Sequence, residues 1–313
     1  MSLKVVFWGN SQSVFSCRHL EALSVIPCEL AALVDLPPAK QGTTHPHPAG
    51  LEAFDDVARQ RGIRIYSPAK PNEPRFVEEM QVLAADLFIA VGYALILKPA
   101  LLALPKVAAT NFHASLLPNY RGKHPVFWTL RGGEVWAGLT VHHMDPGIDT
   151  GDIIYQVKVR THRDDTVASL YGRIIDRSIG LVGQLVSEAE EGRLPRKYQP
   201  AGLGSYFSST TPADFRIDWA WPAEKIRRHI VMSPGGCFAP VAGRPVYFSQ
   251  AEKARDWPDE VPGKVLKLGR RRSTIAAGDG AVSIGRGRPE ADQGQALALL
   301  LRQLGIKVGD RLD

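Results

Sequence analysis

The stretch Lys4–Gly9, K-V-V-F-W-G, is a short apolar run that ends at a glycine, and it predicts a buried first strand. Apolar residues with helical spacing over Ser13–Leu23 follow it, and a second apolar run covers Glu29–Val34. The fully apolar run Asp86–Val91, D-L-F-I-A-V, continues the alternation, and helical spacing over Asp164–Glu191 predicts one long closing helix. Strands that alternate with helices are typical of α/β proteins, so we predict a doubly wound, mostly parallel sheet.

The last third of the chain has a different pattern. Residues 193–209 are rich in proline, glycine and serine, which suits a linker. Beyond them a helix is predicted over Pro222–Val231, and Gly278-Asp279-Gly280 predicts a hairpin turn between short β-rich runs. We therefore predict two domains, one of residues 1–205 and a small β-barrel-like one of residues 206–313.

Charge and cysteine content limit the class of protein. The formal net charge is +6, and residues 206–313 contribute +5 of it. A basic module of this kind fits a polyanionic partner, and it fits a merely soluble basic domain equally well. The three cysteines, Cys17, Cys28 and Cys237, are scattered and form no C-x-x-C pair, which favours the reduced cytoplasm. No apolar run approaches the roughly 18 residues that a membrane helix needs, so we expect no membrane partner.

One block brings together residues with chemical potential. Val107–His113, V-A-A-T-N-F-H, reads as a strand, and side chains two residues apart on a strand share a face. Asn111 and His113 therefore point the same way, toward the end where α/β sheets bind ligands. The tight acidic loop Asp145–Asp152 can fold back over them and bring Asp149.

These three residue types together suit acyl transfer. The amide of Asn111 can donate to a developing oxyanion, and His113 can take or give a proton near neutral pH. Asp149 can orient the histidine or relay a proton through water. Because no side-chain nucleophile stands among them, the set suits direct transfer to an amine. In the alternative interpretation the three residues are purely structural: Asn111 caps the strand end, His113 is a buried histidine and Asp149 is a turn residue.

The combined pattern N-x-H-x-S-L-L-P, R-G-x-x-P and D-x-G-x-D-x-G resembles the signature of the folate-dependent formyltransferase family. It stands here as Asn111-Phe-His113-Ala-Ser115-Leu-Leu-Pro118, Arg121-Gly122 and Asp145-Pro-Gly147-Ile-Asp149-Thr-Gly151. The resemblance implies that Asn111, His113 and Asp149 catalyse transfer of a formyl group from 10-formyltetrahydrofolate, the co-substrate, to a primary amine. It also implies a C-terminal domain like the oligonucleotide-binding (OB) barrel, as in the family's two-domain members, which act on methionyl-tRNA or on amino sugars.

The resemblance also implies binding residues. For the folate they are Gly92, Tyr93, Ala94, Leu95, Ile96, Leu97, Asp145, Gly147 and Ile148. For the acceptor substrate they are Ser115, Leu116, Leu117, Pro118, Tyr120, Arg121 and Gly122. From the residues alone, the apolar members of the first set read equally as plain core.

The acceptor amine divides the family. The resemblance favours the amino group of methionyl-tRNA, with the initiator tRNA held by the basic C-terminal domain. Five cations lie close together there: Lys264, Lys267, Arg270, Arg271 and Arg272. Against tRNA, the loop after the second strand carries only Lys40, His45 and His47 where the tRNA-acting members have many basic residues. A nucleotide-linked amino sugar or another small amine is the alternative, and hydrolysis of formyltetrahydrofolate is the alternative from another class.

A metal is not expected. His142 and His143 are adjacent on a predicted strand, so their side chains point to opposite faces. They cannot easily share one ion, and no cysteine or H-E-x-x-H partner accompanies them. We assign neither a role.

Overall fold

The chain, seen in a computed structural model, is described at residues 2–41, 53–255, 257, 260–289 and 294–312. Two compact units divide it. The first unit comprises Met1–Pro125, Trp136–Val159 and Tyr171–Phe207, and the second comprises Val126–Val135, Arg160–Leu170 and Ser208–Asp313. A single domain boundary after residue 205 stays a prediction.

The first unit is built on a seven-stranded sheet. The strands up to the second unit are β1 (Lys4–Gly9), β2 (Glu29–Asp35), β3 (Arg64–Tyr66), β4 (Leu87–Val91), β5 (Ala108–His113), β6 (Arg121–Gly122), β7 (Trp136–His143), β8 (Ile153–Arg160) and β9 (Tyr206–Phe207). The sheet order is β3-β2-β1-β4-β5-β7-β8, while β6 and β9 form a separate parallel pair. The first five strands in this order, β3, β2, β1, β4 and β5, pair in parallel with their neighbours. Strand β7 pairs with β5 in the antiparallel direction. The predicted doubly wound, mostly parallel sheet is confirmed.

Helices flank these strands along the chain. They are α1 (Val14–Ser24), α2 (Ala53–Arg61), α3 (Pro74–Val82), α4 (Pro99–Leu102), α5 (Pro125–Gly132), α6 (Val167–Ser178), α7 (Gly180–Glu190), α8 (Ala223–Met232) and α9 (Leu297–Gln303). The prediction of one helix over 164–191 is wrong, because α6 ends at Ser178 and α7 begins at Gly180. In the last turn of α6 the hydroxyl of Ser178 donates to the carbonyl of Ile175 at 3.1 Å.

A dense core holds the first sheet. All five residues of β4 are buried, as expected for a parallel strand covered on both faces. Trp8 of β1 packs against Phe88 of β4 with ring centroids 5.2 Å apart and against Phe76 of α3 at 6.2 Å. Each such side chain contributes about 1.5–3 kcal/mol through burial. This rigid centre fixes β5, the strand that carries the predicted catalytic pair.

The second unit has its own antiparallel sheet and its own core. Its strands are β10 (Phe238–Val241), β11 (Arg244–Lys253), β12 (Val265–Leu268), β13 (Ser273–Ala277), β14 (Gly280–Pro289) and β15 (Gln295–Ala296). They follow the order β10-β11-β14-β13-β12, with β15 on β14, as a curled half-barrel. Ala277 pairs with Gly280, so the predicted hairpin turn is confirmed. The helix predicted over 222–231 is α8, which packs on this sheet.

Candidate active site

Strand β5 presents Asn111 and His113 where the sheet changes direction. Asn111 pairs with Ala90 of the parallel neighbour β4 on one side. On the other side it pairs with His142 of the antiparallel neighbour β7. Directly opposite residues of an antiparallel pair project from the same face, so His142 joins Asn111 and His113 there.

The loop between β7 and β8 brings Asp149 to this face. Asp149 has a left-handed backbone (φ 54°), which is uncommon for a residue other than glycine. Its carbonyl accepts from Arg121 Nε at 3.2 Å and from Gln199 Nε2 at 3.0 Å. Its carboxylate Oδ2 accepts from the backbone N–H of Gly122 at 2.8 Å. These contacts hold the side chain in one position against the conformational cost.

Asn111, His113 and Asp149 meet around one point. Asn111 Nδ2 donates to Asp149 Oδ1 at 3.3 Å, and His113 Nδ1 lies 3.5 Å from Asp149 Oδ2. Asn111 Nδ2 also donates to His142 Nε2 at 3.1 Å, and that nitrogen lies 3.4 Å from Asp149 Oδ1. The four side chains form one network in which Asp149 touches each of the other three.

The hydrogen bonds fix the tautomers of both histidines. His113 Nε2 donates to the carbonyl of Tyr120 at 2.8 Å, so a neutral His113 turns an unprotonated Nδ1 toward Asp149. His142 Nδ1 donates to the carbonyl of His143 at 2.7 Å, which leaves Nε2 free to accept from Asn111. A proton that arrives between His113 Nδ1 and Asp149 Oδ2 would therefore be shared by a base and a carboxylate.

Burial and charge set the protonation states. Burial lowers the pKa of His113 below its ordinary 6.5, although the Asp149 carboxylate and the Tyr120 carbonyl oppose it. Burial also disfavours an ionised Asp149. The nearby His113 and His142 and the Gly122 N–H outweigh that effect and hold the pKa of Asp149 well below its usual range. At neutral pH the site therefore contains a carboxylate beside a neutral imidazole, a combination that can accept one proton.

The rest of the Asp145–Asp152 loop is shaped by Asp145 and two glycines. Asp145 Oδ1 accepts from the backbone N–H of Gly147 at 3.1 Å and from the hydroxyl of Thr150 at 2.7 Å. A β-carbon at Gly147 would overlap that hydroxyl, and one at Gly151 would overlap the carbonyl of His143. Asp145 and Gly147, predicted to bind folate, are thus used to shape the loop, while Ile148 is 42% exposed at its tip.

The predicted folate residues 92–97 form a half-exposed loop after β4. Gly92, Ala94 and Ile96 are exposed, Tyr93 and Leu95 are half-buried, and Leu97 belongs to the core. The Asn72 side chain braces the loop, since it donates to the Ile96 carbonyl at 2.8 Å and accepts from the Lys98 N–H at 2.7 Å. The Tyr93 hydroxyl is a buried donor with no hydrogen-bond partner in the part of the chain that the structure describes.

The predicted acceptor residues mostly build the wall behind His113. Ser115 Oγ donates to the carbonyl of Asn119, and the Leu117 carbonyl accepts from Gln156 Nε2, each at 2.8 Å. Leu116 and Pro118 are half-buried beside them. Tyr120 stacks on Phe207 with ring centroids 5.5 Å apart. These contacts give Ser115 and Leu117 structural partners, and their predicted role toward the acceptor stays a prediction.

Arg121 and Gly122 connect this wall to Asp149. Arg121 donates from Nε to the Asp149 carbonyl, and its Nη2 donates to Gln199 Oε1 at 2.9 Å. Gly122 has φ +93°, and a β-carbon there would overlap the carbonyl of Phe207. The side chain of Arg121 thus positions Asp149, a function that its predicted role in acceptor binding did not include.

Two site residues escaped the sequence reasoning. His142 was considered only as a metal ligand, yet its ring contacts Asn111 and Asp149. Gln199 lies in the predicted linker, yet it is buried and donates to the carbonyls of both Asp149 and Gly151. His142 was recognisable only from the antiparallel register of β5 and β7, while no sequence signal marks Gln199.

Within the described residues, no group of three or more His, Cys, Asp or Glu side chains is placed to hold a metal ion. None of the helices in those same ranges is long and apolar enough to cross a membrane. His45 and His47 of the loop after β2 lie outside the described residues, whereas Lys40 lies in a short 3-10 turn at Pro38–Lys40.

An amide, an imidazole and a carboxylate on the ligand-binding edge of an α/β sheet suit an acyl-transfer enzyme without a side-chain nucleophile. Comparison with known families agrees. The family described as "Formyl transferase" matches residues 10–182, and "Formyl transferase, C-terminal domain" matches residues 210–303. The chain therefore belongs to the formyl transferase family, and the resemblance inferred from its motifs is confirmed.

Named relatives match more than nine-tenths of the chain. The methionyl-tRNA formyltransferase of Synechococcus sp. (strain JA-3-3Ab) is 30% identical over 322 residues, which cover 99% of this chain and 98% of that protein. The methionyl-tRNA formyltransferase of Pseudomonas entomophila is 31% identical over 288 residues, 91% of this chain and 90% of its own. An N-formyltransferase from Helicobacter canadensis, solved with folinic acid and dTDP-3-aminofucose, shares the fold with a TM-score of 0.68. It is 18% identical, and the match covers 92% of this chain and 100% of that one.

Proposed function

We propose that this protein transfers the formyl group of 10-formyltetrahydrofolate to the amino group of methionyl-tRNA, with Asn111, His113 and Asp149 as its catalytic residues. The observation that carries the catalytic assignment is their meeting around one point, with Asp149 within 3.5 Å of both partners. Full-length relatives named as methionyl-tRNA formyltransferases support the choice of acceptor.

The geometry supports direct transfer. The acceptor nitrogen forms a bond to the formyl carbon, and the bond from that carbon to the folate nitrogen breaks. Asp149 and the unprotonated Nδ1 of His113 are placed to take the proton that the amine loses and to return it to the leaving nitrogen. Asn111 Nδ2 is the donor for the oxyanion. Because its two hydrogens face His142 and Asp149, the substrate oxygen must replace one of these contacts.

The residues at 92–97 fit a pterin. The loop offers exposed apolar surface at Ala94 and Ile96, with Ile148 exposed on the second loop. The buried Tyr93 hydroxyl still lacks a partner in the described ranges, so a ligand acceptor would satisfy it. We therefore keep Gly92–Leu97, Asp145, Gly147 and Ile148 as the proposed folate-binding residues.

The basic residues of the second unit support RNA as acceptor. Lys267, Arg270 and Arg271 are exposed, and they form no ion pair within the described residues. The other two cations of this group have partners within the protein. Lys264 pairs with Glu260 at 2.9 Å, and Arg272 donates to the Gln250 carbonyl at 3.3 Å. Three free cations on one hairpin suit a phosphate backbone. We propose that residues 206–313 hold the tRNA in this way and that residues 1–205 carry the chemistry.

An amino-sugar acceptor is the second candidate. The exposed side chain of Tyr206 lies beside Gly122, where an aromatic face can stack on a sugar or base. The Helicobacter canadensis structure carries dTDP-3-aminofucose, which supports the same alternative at the level of fold.

We propose a cytoplasmic location, because all three cysteines are free thiols.

The deciding experiment is an acceptor screen with 10-formyltetrahydrofolate as donor. We expect tetrahydrofolate to form rapidly with methionyl-tRNA and slowly with nucleotide-linked amino sugars. Faster turnover with an amino sugar would reassign the acceptor. Equal release of tetrahydrofolate with no amine present would make the protein a hydrolase and overturn the proposal.

A further inference from the structure

A cleft of about 610 Å³ opens on the second unit, and the proposed reaction makes no use of it. The segment before α8 lines one side, and Pro262 with the end of the described chain lines the other. Its polar lining consists of Arg216, Asp218 and Arg311. A cleft of this size suits a small ligand rather than a single ion.

Trp219 forms part of the wall of this cleft. The residue is 4% exposed, and its indole N–H has no hydrogen-bond partner among the residues that are described. Its Cδ1 atom, which is bonded to Nε1, lies at the wall next to Gly263, since a β-carbon on that glycine would be 3.4 Å from it. The same β-carbon would be 3.4 Å from Cγ of Arg311. The Nε1 atom is covered from solvent, so the indole forms part of the wall beside Arg311 and presents no accessible donor to the cleft.

Two arginines supply positive charge. Arg311 donates from Nε to the Pro262 carbonyl at 3.1 Å, a bond that orients its guanidinium at the rim. Arg216 is exposed, and within the described ranges its guanidinium has no ion-pair partner. Guanidinium groups bind phosphate through paired N–H donors. The cleft is therefore suited to a ligand that carries a phosphate.

Asp218 narrows the class of ligand. Its Oδ1 accepts from the backbone N–H of Ala220 at 2.9 Å, and the residue is exposed in the cleft. A carboxylate beside two arginines would repel a plain anion, but it accepts hydrogen bonds from hydroxyl groups. A ribose phosphate brings both a phosphate and hydroxyl donors.

We propose that this cleft binds a ribonucleotide, with its phosphate on Arg216 and Arg311 and its ribose hydroxyls on Asp218. The site stands apart from formyl transfer, since its lining residues include none of the proposed catalytic set. Either a free mononucleotide or one nucleotide of an RNA chain offers this chemistry.

Calorimetric titration of the full chain with AMP, without folate or amine, tests the site. We expect AMP to bind about tenfold more tightly than dAMP, because dAMP lacks the 2′-hydroxyl. Arg216→Ala and Arg311→Ala should each weaken AMP binding about tenfold or more. Arg244→Ala, an exposed arginine of the same unit outside the cleft, is the matched control and should bind as the unchanged protein does.

A second measurement follows the indole directly. The ¹H–¹⁵N signal of the Trp219 side chain, assigned by its loss in Trp219→Phe, should shift when AMP is added. Equal binding of AMP, dAMP and inorganic phosphate, or equal losses in Arg244→Ala, would overturn the proposal, as would no binding at all. Displacement of AMP by a short RNA hairpin identifies an RNA nucleotide as the ligand, and failure of displacement identifies a free nucleotide. Asn111→Ala should lose turnover and keep AMP binding, which separates this site from the proposed function.

Discussion

Asp149 is the residue on which the site depends, since it contacts Asn111, His113 and His142 at once. We expect Asn111→Ala, His113→Ala and Asp149→Ala each to lower turnover at least about a hundredfold, in line with the loss of an oxyanion donor or a proton acceptor. Initial rates of tetrahydrofolate formation measure the effect, and circular dichroism verifies the fold.

The matched control for His113→Ala is His143→Ala, since His143 lies on the neighbouring strand β7. His143 is also buried, but its Nε2 donates to the Pro195 carbonyl at 3.0 Å and not to Asp149. His143→Ala should therefore keep turnover within a few-fold of the unchanged enzyme. Turnover that falls as far in His143→Ala as in His113→Ala would contradict the assignment.

The ring of His113 should titrate in a predictable direction. Burial lowers its pKa below 6.5, and the charge of Asp149 counteracts part of that shift. The NMR titration midpoint of His113 should therefore lie below 6.5. In Asp149→Asn, which removes the charge and keeps the side-chain shape, the midpoint should move lower still. A midpoint that rises in this variant would show that Asp149 is not ionised beside His113.

At the scale of elements, the short pairing of β6 with β9 places the Gly122 N–H that donates to the Asp149 carboxylate. Gly122→Ala should disrupt it, because the left-handed backbone at φ +93° disfavours a side chain and the β-carbon would overlap the Phe207 carbonyl. We expect a stability loss of about 1–3 kcal/mol and a clear fall in turnover as the Gly122 N–H leaves Asp149. Thermal unfolding and initial rates measure the two effects.

Gly202→Ala separates backbone strain from steric overlap. Gly202 also has a positive φ, +79°, but a β-carbon there meets nothing within 4 Å. The variant should lose some stability and keep its turnover. If Gly122→Ala behaved the same way, the pairing of β6 with β9 would not be what positions Asp149.

Most of the elements were predictable because their signals are local. The apolar run of β4 and the hairpin turn at Gly278–Gly280 each depend on a few neighbouring residues. The break between α6 and α7 was not predictable from apolar spacing, which continues through it. At this point the Ser178 hydroxyl contacts His19 Nε2 at 3.0 Å, a partner 159 residues away in the chain.

The site was predictable to the same extent. Asn111 and His113 share a face by strand alternation, and the motif resemblance supplied Asp149. His142 was missed because a mostly parallel sheet gives no reason to pair two strands antiparallel. Only the observed register, with Asn111 opposite His142, brings that ring to the network. Residues that act through tertiary pairing carry no periodic signal in the sequence.

At the scale of the whole molecule, each unit contains a buried histidine that resists protonation. Burial lowers the pKa of His19, in the first unit, from 6.5 to about 4. His19 Nδ1 donates to the Phe15 carbonyl at 2.8 Å, and its ring packs against Phe112. Burial likewise lowers the pKa of His229, in the second unit, to about 4. In both units the native state therefore binds fewer protons than the unfolded chain between pH 4 and pH 6.5.

This difference makes the protein sensitive to mild acid. Since each folded-state pKa lies below the unfolded value, the stability that each histidine contributes is fully present above pH 6.5 and is lost as pH falls toward 4. Each shift corresponds to a loss on the order of 3 kcal/mol across that window. Urea unfolding between pH 4 and pH 7 should show both units weakening. His19→Gln should flatten the pH dependence of the first unit alone, and His229→Gln that of the second. A slope unchanged in both variants would mean that other groups take up the protons.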